Sequence, residues 1–153
     1  MKSIKWIILY SLILISCNTK KMNNGLIIKT SPFNVETTYT KLKTILENNP
    51  NLKILLQLNH SNNAASVDLK LNDTRIILFG NPKLGTPLMQ ENQTIGLDLP
   101  QKIIVYLGSD NATKIAYNSP LYLKERHNIQ GNDAVLEKIS NALNTITDKV
   151  ISK

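Results

Sequence analysis

The sequence has few of the residues on which many catalytic and metal-binding sites depend. Its 153 residues include one cysteine, two histidines and eleven acidic residues, and aromatic residues make up 5%. A single cysteine excludes a disulfide within the chain and a cluster of cysteine ligands. The chain also lacks a Gly-x-Ser-x-Gly nucleophile elbow and a phosphate-binding loop. On these grounds the sequence predicts no catalytic residue, no metal site and no cofactor.

The chain also lacks a hydrophobic run that could cross a bilayer, which takes about 20 residues. Its most apolar stretch covers residues 6–15, after Lys2 and Lys5 and before Ser16 and Cys17. A basic start, a short apolar core and a small residue are typical of a secretion signal. Leu14 and Ser16 before a cysteine form a lipobox-like pattern, in which the cysteine thiol receives the lipid.

This pattern predicts a signal peptide over residues 1–16, lipidation of Cys17, a polar tether over residues 17–24 and a single domain over residues 25–153. The lipid would attach the protein to a membrane of the cell envelope, with its domain in a periplasmic or other extracytoplasmic space. Loss of Lys2 and Lys5 would lower the formal net charge from +7 to +5. The remaining lysines are scattered and only two arginines occur, so the sequence predicts no nucleic-acid partner.

The apolar periodicity predicts five strands, two long helices and two short helices. Asn34 is a suitable N-cap for the first long helix, and the apolar residues of the second are spaced by three and four. The sequence Gly-Ser-Asp-Asn at residues 108–111 is typical of a hairpin turn and separates the last two strands. The predicted strands cover residues 25–31, 52–59, 75–80, 101–107 and 113–118; the long helices begin at residues 35 and 133, the short helices cover residues 86–90 and 121–127, and residues 62–70 stay ambiguous.

This order, a strand and a helix followed by four strands and a helix, predicts an α+β fold with a mostly antiparallel sheet. Helices should cover one face of such a sheet. The other face then needs a cover, and a second copy of the chain is one candidate. We therefore expect a homodimer.

Several sequence segments resemble the domain of unknown function 302 (DUF302) family. The resemblance is strongest over residues 79–90 and continues at residues 95–100, 116–120, 122–123 and 126–127, with His60 and residues 63–65 upstream. It implies a fold like that of the TATA-binding protein, with a curved antiparallel sheet and helices on one side, and it suggests a dimer. It implies no established activity.

The segment from Asn81 to Pro87 is the best candidate site in the sequence, because two prolines and a glycine predict a rigid turn after a strand. Thr86 and Pro87 fit an N-cap and first helical position. We expect the ligand-binding residues to be Asn81, Lys83, Thr86 and Met89 of this segment, together with Tyr117, His60 and His127. The alternative is that the segment only builds a corner between a strand and a helix.

Two classes of function follow from these residues. The first is a lipid-anchored binding or interaction module that performs no chemistry on a ligand, with an envelope protein or a small ligand as its partner. The second is a small enzyme or a metal- or redox-handling accessory that uses His60 and His127 near residues 81–89. The scarcity of acids and the absence of a nucleophile and of ligand spacing favour the first.

The predicted anchor has a direct test. Cells fed a radioactive fatty acid should label the protein, and the Cys17→Ser variant should stay unlabelled because it has no thiol to acylate. Labelling is read from the protein band on a gel, with equal expression of both chains as the control. Equal labelling of the two chains, or no labelling of either, would contradict the prediction.

Overall fold

The computed structural model describes residues 24–153. The predicted signal peptide, Cys17 and the tether up to residue 23 lie outside the described residues. The strands are β1 (Leu26–Thr30), β2 (Lys53–Asn59), β3 (Thr74–Gly80), β4 (Gln101–Leu107) and β5 (Thr113–Asn118). The helices are α1 (Val35–Glu47), α2 (His60–Ala65), α3 (Pro82–Glu91), α4 (Pro120–Arg126) and α5 (Asp133–Ile151), with a short 3-10 helix at Gln93–Leu97.

The predicted α+β fold with an antiparallel sheet is confirmed. The five strands form one sheet in the order β1-β5-β4-β3-β2, and every neighbouring pair is antiparallel. The ambiguous segment after β2 contains a short helix, α2, whose N-cap Asn59 accepts a hydrogen bond from the backbone N–H of Asn62 at 3.0 Å. Among the described residues, no helix is long and apolar enough to cross a membrane.

One face of the sheet is buried under helices. Alternate residues of a strand point to opposite faces, and those that point to the helices are almost completely buried. They pack with the five apolar residues of α5 that the spacing by three and four predicts, all of which are at most 6% exposed. The buried strand residues are Ile77, Phe79, Ile103, Val105, Ile115 and Tyr117, and those of α5 are Leu136, Ile139, Leu143, Ile146 and Val150.

Polar contacts fix the edge strand β1 to this helical layer. The Lys29 Nζ atom donates to Asp148 Oδ1 at 2.6 Å and to Asn144 Oδ1 at 2.7 Å, and both acceptors lie on α5. The Lys29 side chain is only 17% exposed, which reduces the screening of its ion pair by water. β1 is therefore held by α5 as well as by its pairing with β5.

Glu91, the last residue of α3, joins that helix to the loop before α5. Its carboxylate accepts hydrogen bonds from the backbone N–H groups of Gln130 and Gly131 and from Asn132 Nδ2 at 2.9 Å. Helix α5 begins at Asp133, as the sequence predicts. Asn132 stands at its N-cap with a positive φ of 60°, but the Asn132 side chain does not cap the helix and bonds Glu91 instead. The hydrogen bond from Gly131 is the main cause of a lowered pKa for Glu91.

We predict that Glu91→Gln lowers thermal stability at neutral pH only. The folded state lowers the pKa of Glu91 below its ordinary value of 4.5, so the ionised carboxylate stabilises the fold above that pH. This contribution is lost as the pH falls through the lowered pKa, where both chains carry a neutral group. Melting temperatures measured across the pH range should therefore converge in acid. Glu137→Gln, an exposed substitution on α5, is the control, and a constant difference between Glu91→Gln and the parent would contradict the prediction.

Candidate functional site

The N-cap of helix α3 lies five residues earlier than the sequence predicts. The prediction placed a rigid turn over Asn81–Pro87 and an N-cap at Thr86; in the structure Asn81 is the N-cap, and its Oδ1 atom accepts from the Lys83 N–H at 2.9 Å. Pro82 occupies the first helical position, where its missing N–H costs nothing. Pro87 lies inside the helix. The rigid turn is therefore the first half of a helix.

A cavity of about 320 Å³ lies between α3, α5 and the sheet. Most of its lining is apolar, and polar side chains come from Lys53, Asn81, Thr86 and Gln101. α3 contributes Pro82, Leu84, Gly85, Thr86 and Met89, α5 contributes Ile139, Ala142, Leu143 and Ile146, and the remaining wall consists of Leu52, Lys53, Leu55, Phe79, Gly80, Asn81, Leu99, Pro100 and Gln101. We call this cavity the α3–α5 pocket.

Three of the predicted site residues line the α3–α5 pocket, namely Asn81, Thr86 and Met89. Lys83 lies on the same helix but does not line the pocket. Its side chain is exposed and makes no hydrogen bond or ion pair among the residues that the structure describes. The segment chosen from the sequence therefore does border a cavity, with Lys83 outside it.

His127 is held in a closed polar network beside the loop that forms one wall of the pocket. Its Nε2 atom lies 2.6 Å from Asp98 Oδ2 and its Nδ1 atom 3.0 Å from Thr94 Oγ1. Its backbone carbonyl accepts from Asn92 Nδ2 at 2.7 Å, and the residue is only 5% exposed. Both ring nitrogens are thus occupied by protein groups, so His127 joins α4 to the 3-10 helix and offers no free nitrogen to a ligand.

This network resembles a hydroxyl–histidine–carboxylate triad in composition, but its arrangement does not suit nucleophilic attack. The Thr94 hydroxyl lies 2.8 Å from Asn92 Oδ1 as well as 3.0 Å from His127 Nδ1, so Asn92 competes with the histidine for its single proton. Asp98 also lies 3.5 Å from the Arg126 guanidinium. These contacts satisfy the polar groups of the turn after the 3-10 helix, next to the pocket residue Leu99.

The structure does not bring His60 to this site. β2 and β3 pair with Asn59 opposite Arg75 and Lys53 opposite Gly80. His60 follows Asn59, so it lies at the end of the sheet where β3 starts, whereas Asn81 lies where β3 ends. Seven residues of strand separate the two ends by roughly 20 Å. His60 therefore lies away from both the pocket and Asn81. The described residues contain no group of three histidine, cysteine or acidic side chains placed to hold a metal ion.

Tyr117 also lies outside the α3–α5 pocket. It is the residue of β5 that pairs with Ile103 and Ile27, and it is 5% exposed under α5. Burial raises the pKa of its phenol, partly offset by the side chain of Thr147. Tyr117 is therefore a residue of the core in this structure.

Most of the pocket wall consists of residues that the sequence analysis did not select as site residues. Gly85 lies between Lys83 and Thr86, which the sequence analysis selected, so its position in the sequence already indicated a place near the site. Leu99, Pro100 and Gln101 reach the pocket only because β4 pairs with β3, with Gln101 opposite Phe79. The residues of α5 were identified by their spacing as core, with no signal that part of their face stays uncovered.

A second cavity of about 530 Å³ opens at the other end of the sheet, beside the start of α1 and the hairpin between β4 and β5. Two acidic residues line it, Glu36 and Asp73, and both are paired with Arg75. This cavity is wider and more polar than the α3–α5 pocket. None of the predicted site residues lines it.

The fold is similar to that of a solved protein of unassigned function. The crystal structure of an uncharacterized conserved DUF302 protein from Bacillus stearothermophilus superposes with a TM-score of 0.73 at 20% identity. The match covers 83% of this chain and 98% of the other. At this identity the likeness shows the fold alone.

Two curated relatives from Brucella are named as fluoride-specific ion channels. The fluoride-specific ion channel FluC 1 of Brucella suis biovar 1 (strain 1330) is 31% identical over 97 residues, which cover 63% of this chain and 38% of the channel. The protein of the same name from Brucella abortus biovar 1 (strain 9-941) is also 31% identical over 97 residues, or 36% of its length. The chain spans less than two fifths of the length of these relatives.

The family profile described as Domain of unknown function DUF302 matches residues 27–146, which include all five strands in part or whole and most of α5. The matched region is well over half of the chain. Together with the shared fold, it shows that this chain belongs to the DUF302 family.

Proposed function

We propose that this chain is a lipid-anchored protein of the cell envelope whose domain binds a small, mostly apolar ligand in the α3–α5 pocket without performing chemistry on it. The observation that carries the proposal is the pocket itself, an apolar cavity of about 320 Å³ built on two helices and the sheet. This volume lies at the lower end of the range for small-molecule sites, about 300–1,000 Å³.

The lining of the pocket indicates the chemistry of the ligand. Leucine, isoleucine, phenylalanine and methionine make up half of the lining residues, and proline, glycine and alanine make up most of the rest. Lys53 is exposed and is the one cation among the lining residues, while Asn81 already uses its side-chain oxygen to cap α3. A few polar groups around an apolar cavity orient a ligand whose affinity comes from apolar burial. The ligand we propose is therefore apolar with one polar or anionic end.

Gly85 supports the view that space is kept open here. Glycine inside a helix costs about 0.5–1 kcal/mol relative to alanine. The backbone does not require a glycine at position 85, because this residue lies within α3 and has no positive φ. A Cβ atom would lie 3.7 Å from Leu99 Cδ1 and 3.9 Å from Met89 Cε, both ordinary contacts. The protein itself could accommodate alanine, so we attribute the glycine to the volume that it leaves in the pocket.

The arrangement of the histidines favours binding over catalysis. His127 has both ring nitrogens within hydrogen-bond distance of Asp98 and Thr94, and His60 lies at the far end of β2. A general base needs a nitrogen that can reach the reacting proton. Neither histidine meets this need at the pocket.

The names of the Brucella relatives support an envelope location for this domain type, since part of a protein named as an ion channel is similar to it. The pocket does not suit fluoride itself. A small anion removed from water needs several N–H or cationic donors, whereas this lining is mostly apolar with a single exposed lysine. Any role beside such a channel would therefore be a contact with another molecule and not ion binding in this pocket.

Filling the pocket should weaken binding of an apolar probe. The fragment spanning residues 24–153 contains the whole sheet and its helices, and the fluorescence of N-phenylnaphthylamine reports its transfer into an apolar site. Ala142 lines the pocket from an exposed position on α5, so Ala142→Phe should reduce the fluorescence gain several-fold without loss of stability. Ala134→Phe, an exposed substitution outside the pocket on the same helix, is the matched control. Equal binding by both variants and the parent would contradict the proposal.

Gly85→Ala should stabilise the domain and weaken binding of the same probe. The added methyl group removes the cost of a helical glycine, about 0.5–1 kcal/mol, and occupies part of the cavity. Urea unfolding measures the first effect and probe titration the second. An increase in stability with unchanged binding would show that the glycine is not kept for the pocket.

A further inference from the structure

We infer that the face of the sheet opposite the helices is a homodimer interface, on which the same face of a second copy packs. The inference does not rest on the proposed ligand site, because the α3–α5 pocket lies on the helix-covered side. It commits to one occupant, a second copy of this chain. The pairing of the five strands carries the argument.

The open face has an unbroken apolar row across its centre. Ile104 of β4 pairs with Ile76 of β3 and with Ala116 of β5, and the row continues to Leu58 of β2 and Ile28 of β1. One residue from each strand therefore contributes to it. Because neighbouring residues of a strand alternate between faces, these five point to the opposite side from Ile103 and Val105. Ala116, the smallest of them, is only 4% exposed between its larger neighbours.

In a second row beside the first, Leu56 and Leu78 lie at one end and Leu26 at the other, with Lys102 of β4 and Asn118 of β5 between them. Leu26, Ile28 and Leu56 are 44%, 50% and 48% exposed, which is high for large apolar residues in strands. A patch that runs over all five strands is larger than the scattered apolar residues of an ordinary monomer surface. It needs a cover.

Two of the three lysines on this face are bonded within the chain, and the third, Lys53, lies opposite Gly80 at the end of the edge strand β2. Lys102 Nζ donates to the backbone carbonyls of Asp98 at 2.9 Å and Pro100 at 3.3 Å. Lys114 Nζ lies 2.9 Å from Asp110 Oδ2 and 3.1 Å from Thr30 Oγ1. The Asp110 carboxylate offsets the charge of Lys114, and two carbonyl groups hold the Lys102 ammonium against its own chain.

The size of the face meets the need of a small dimer. Five strands at about 4.8 Å and seven residues at about 3.4 Å give roughly 24 by 24 Å, or on the order of 1,000 Å² of planar area for two copies. Specific interfaces begin near this value. Two twisted sheets can pack face to face with their strands at about 30°. The central strand is β4 and its middle residue is Ile104, so a two-fold axis through the centre of overlapping faces passes near Ile104.

Cross-linking of the full-length chain in cells tests this geometry. Ile104→Cys places a thiol near the proposed axis, and a short bismaleimide matches the roughly 10 Å between packed sheets. We expect several-fold more covalent dimer than from the parent chain, whose one cysteine, Cys17, sets the background. Glu137→Cys on the outer side of α5 is the control and should give no more than that background.

A second substitution separates assembly from folding. Ile28→Glu in the Ile104→Cys chain puts a charge on an exposed part of the face, so it should remove the covalent dimer without affecting the fold of one copy. Leu121→Glu, on an apolar residue of α4 that is 62% exposed, is the matched control and should leave the dimer intact. Dimer that survives Ile28→Glu, or an Ile104→Cys thiol that gives only background dimer, overturns the proposal. Protection of that thiol from a monofunctional maleimide without dimer would assign the face to another occupant and overturns it as well.

Discussion

Burial of one face of the sheet under α1 and α5 is the constraint on which the rest of this domain depends. Strand residues at alternate positions enter the same apolar core as the inner face of α5. Antiparallel pairing keeps every strand in phase, because a slip of one residue would turn the apolar set to the other side. The α3–α5 pocket is the part of this helical side where the packing between α3 and α5 leaves a gap above Phe79 and Leu143.

Local signals in the sequence were sufficient for most of the fold. Asn34 caps α1 as its sequence position predicts, with its Oδ1 atom 2.8 Å from the Thr37 N–H. The spacing of apolar residues in α5 and the hairpin signal before β5 agree with the structure because propensity, capping and burial all favour the same state there. In α3 they disagree. Gly85 and Pro87 favour a turn, but burial of Leu88, which is 1% exposed, and the cap at Asn81 stabilise a helix.

The candidate site was less predictable, because a sequence shows only neighbours along the chain. Asn81, Thr86 and Met89 reach one cavity because a single helix carries them. His60 and His127 are distant in sequence, and only the pairing of β2 with β3 shows that His60 lies at the other end of the sheet. The contribution of Ala142 depends on how α5 crosses the sheet, which no local pattern encodes. Residues that are exposed, apolar and distant in sequence from the site therefore escape prediction.

A bulge in β2 links the two sides of the sheet. The pairing of β2 with β3 shifts between Ile54 and Leu56, and the extra residue, Leu55, lines the α3–α5 pocket. Bulges re-aim side chains and are frequent beside functional sites. With the bulge, Ile54 pairs with Phe79 and lies on the helical side of the sheet, whereas Leu56 pairs with Leu78 and lies on the open face. If Leu55 were instead paired in a regular ladder, it would lie opposite Phe79 and Ile54 would turn to the open face. The side chains that the start of β2 gives to each surface therefore depend on this bulge.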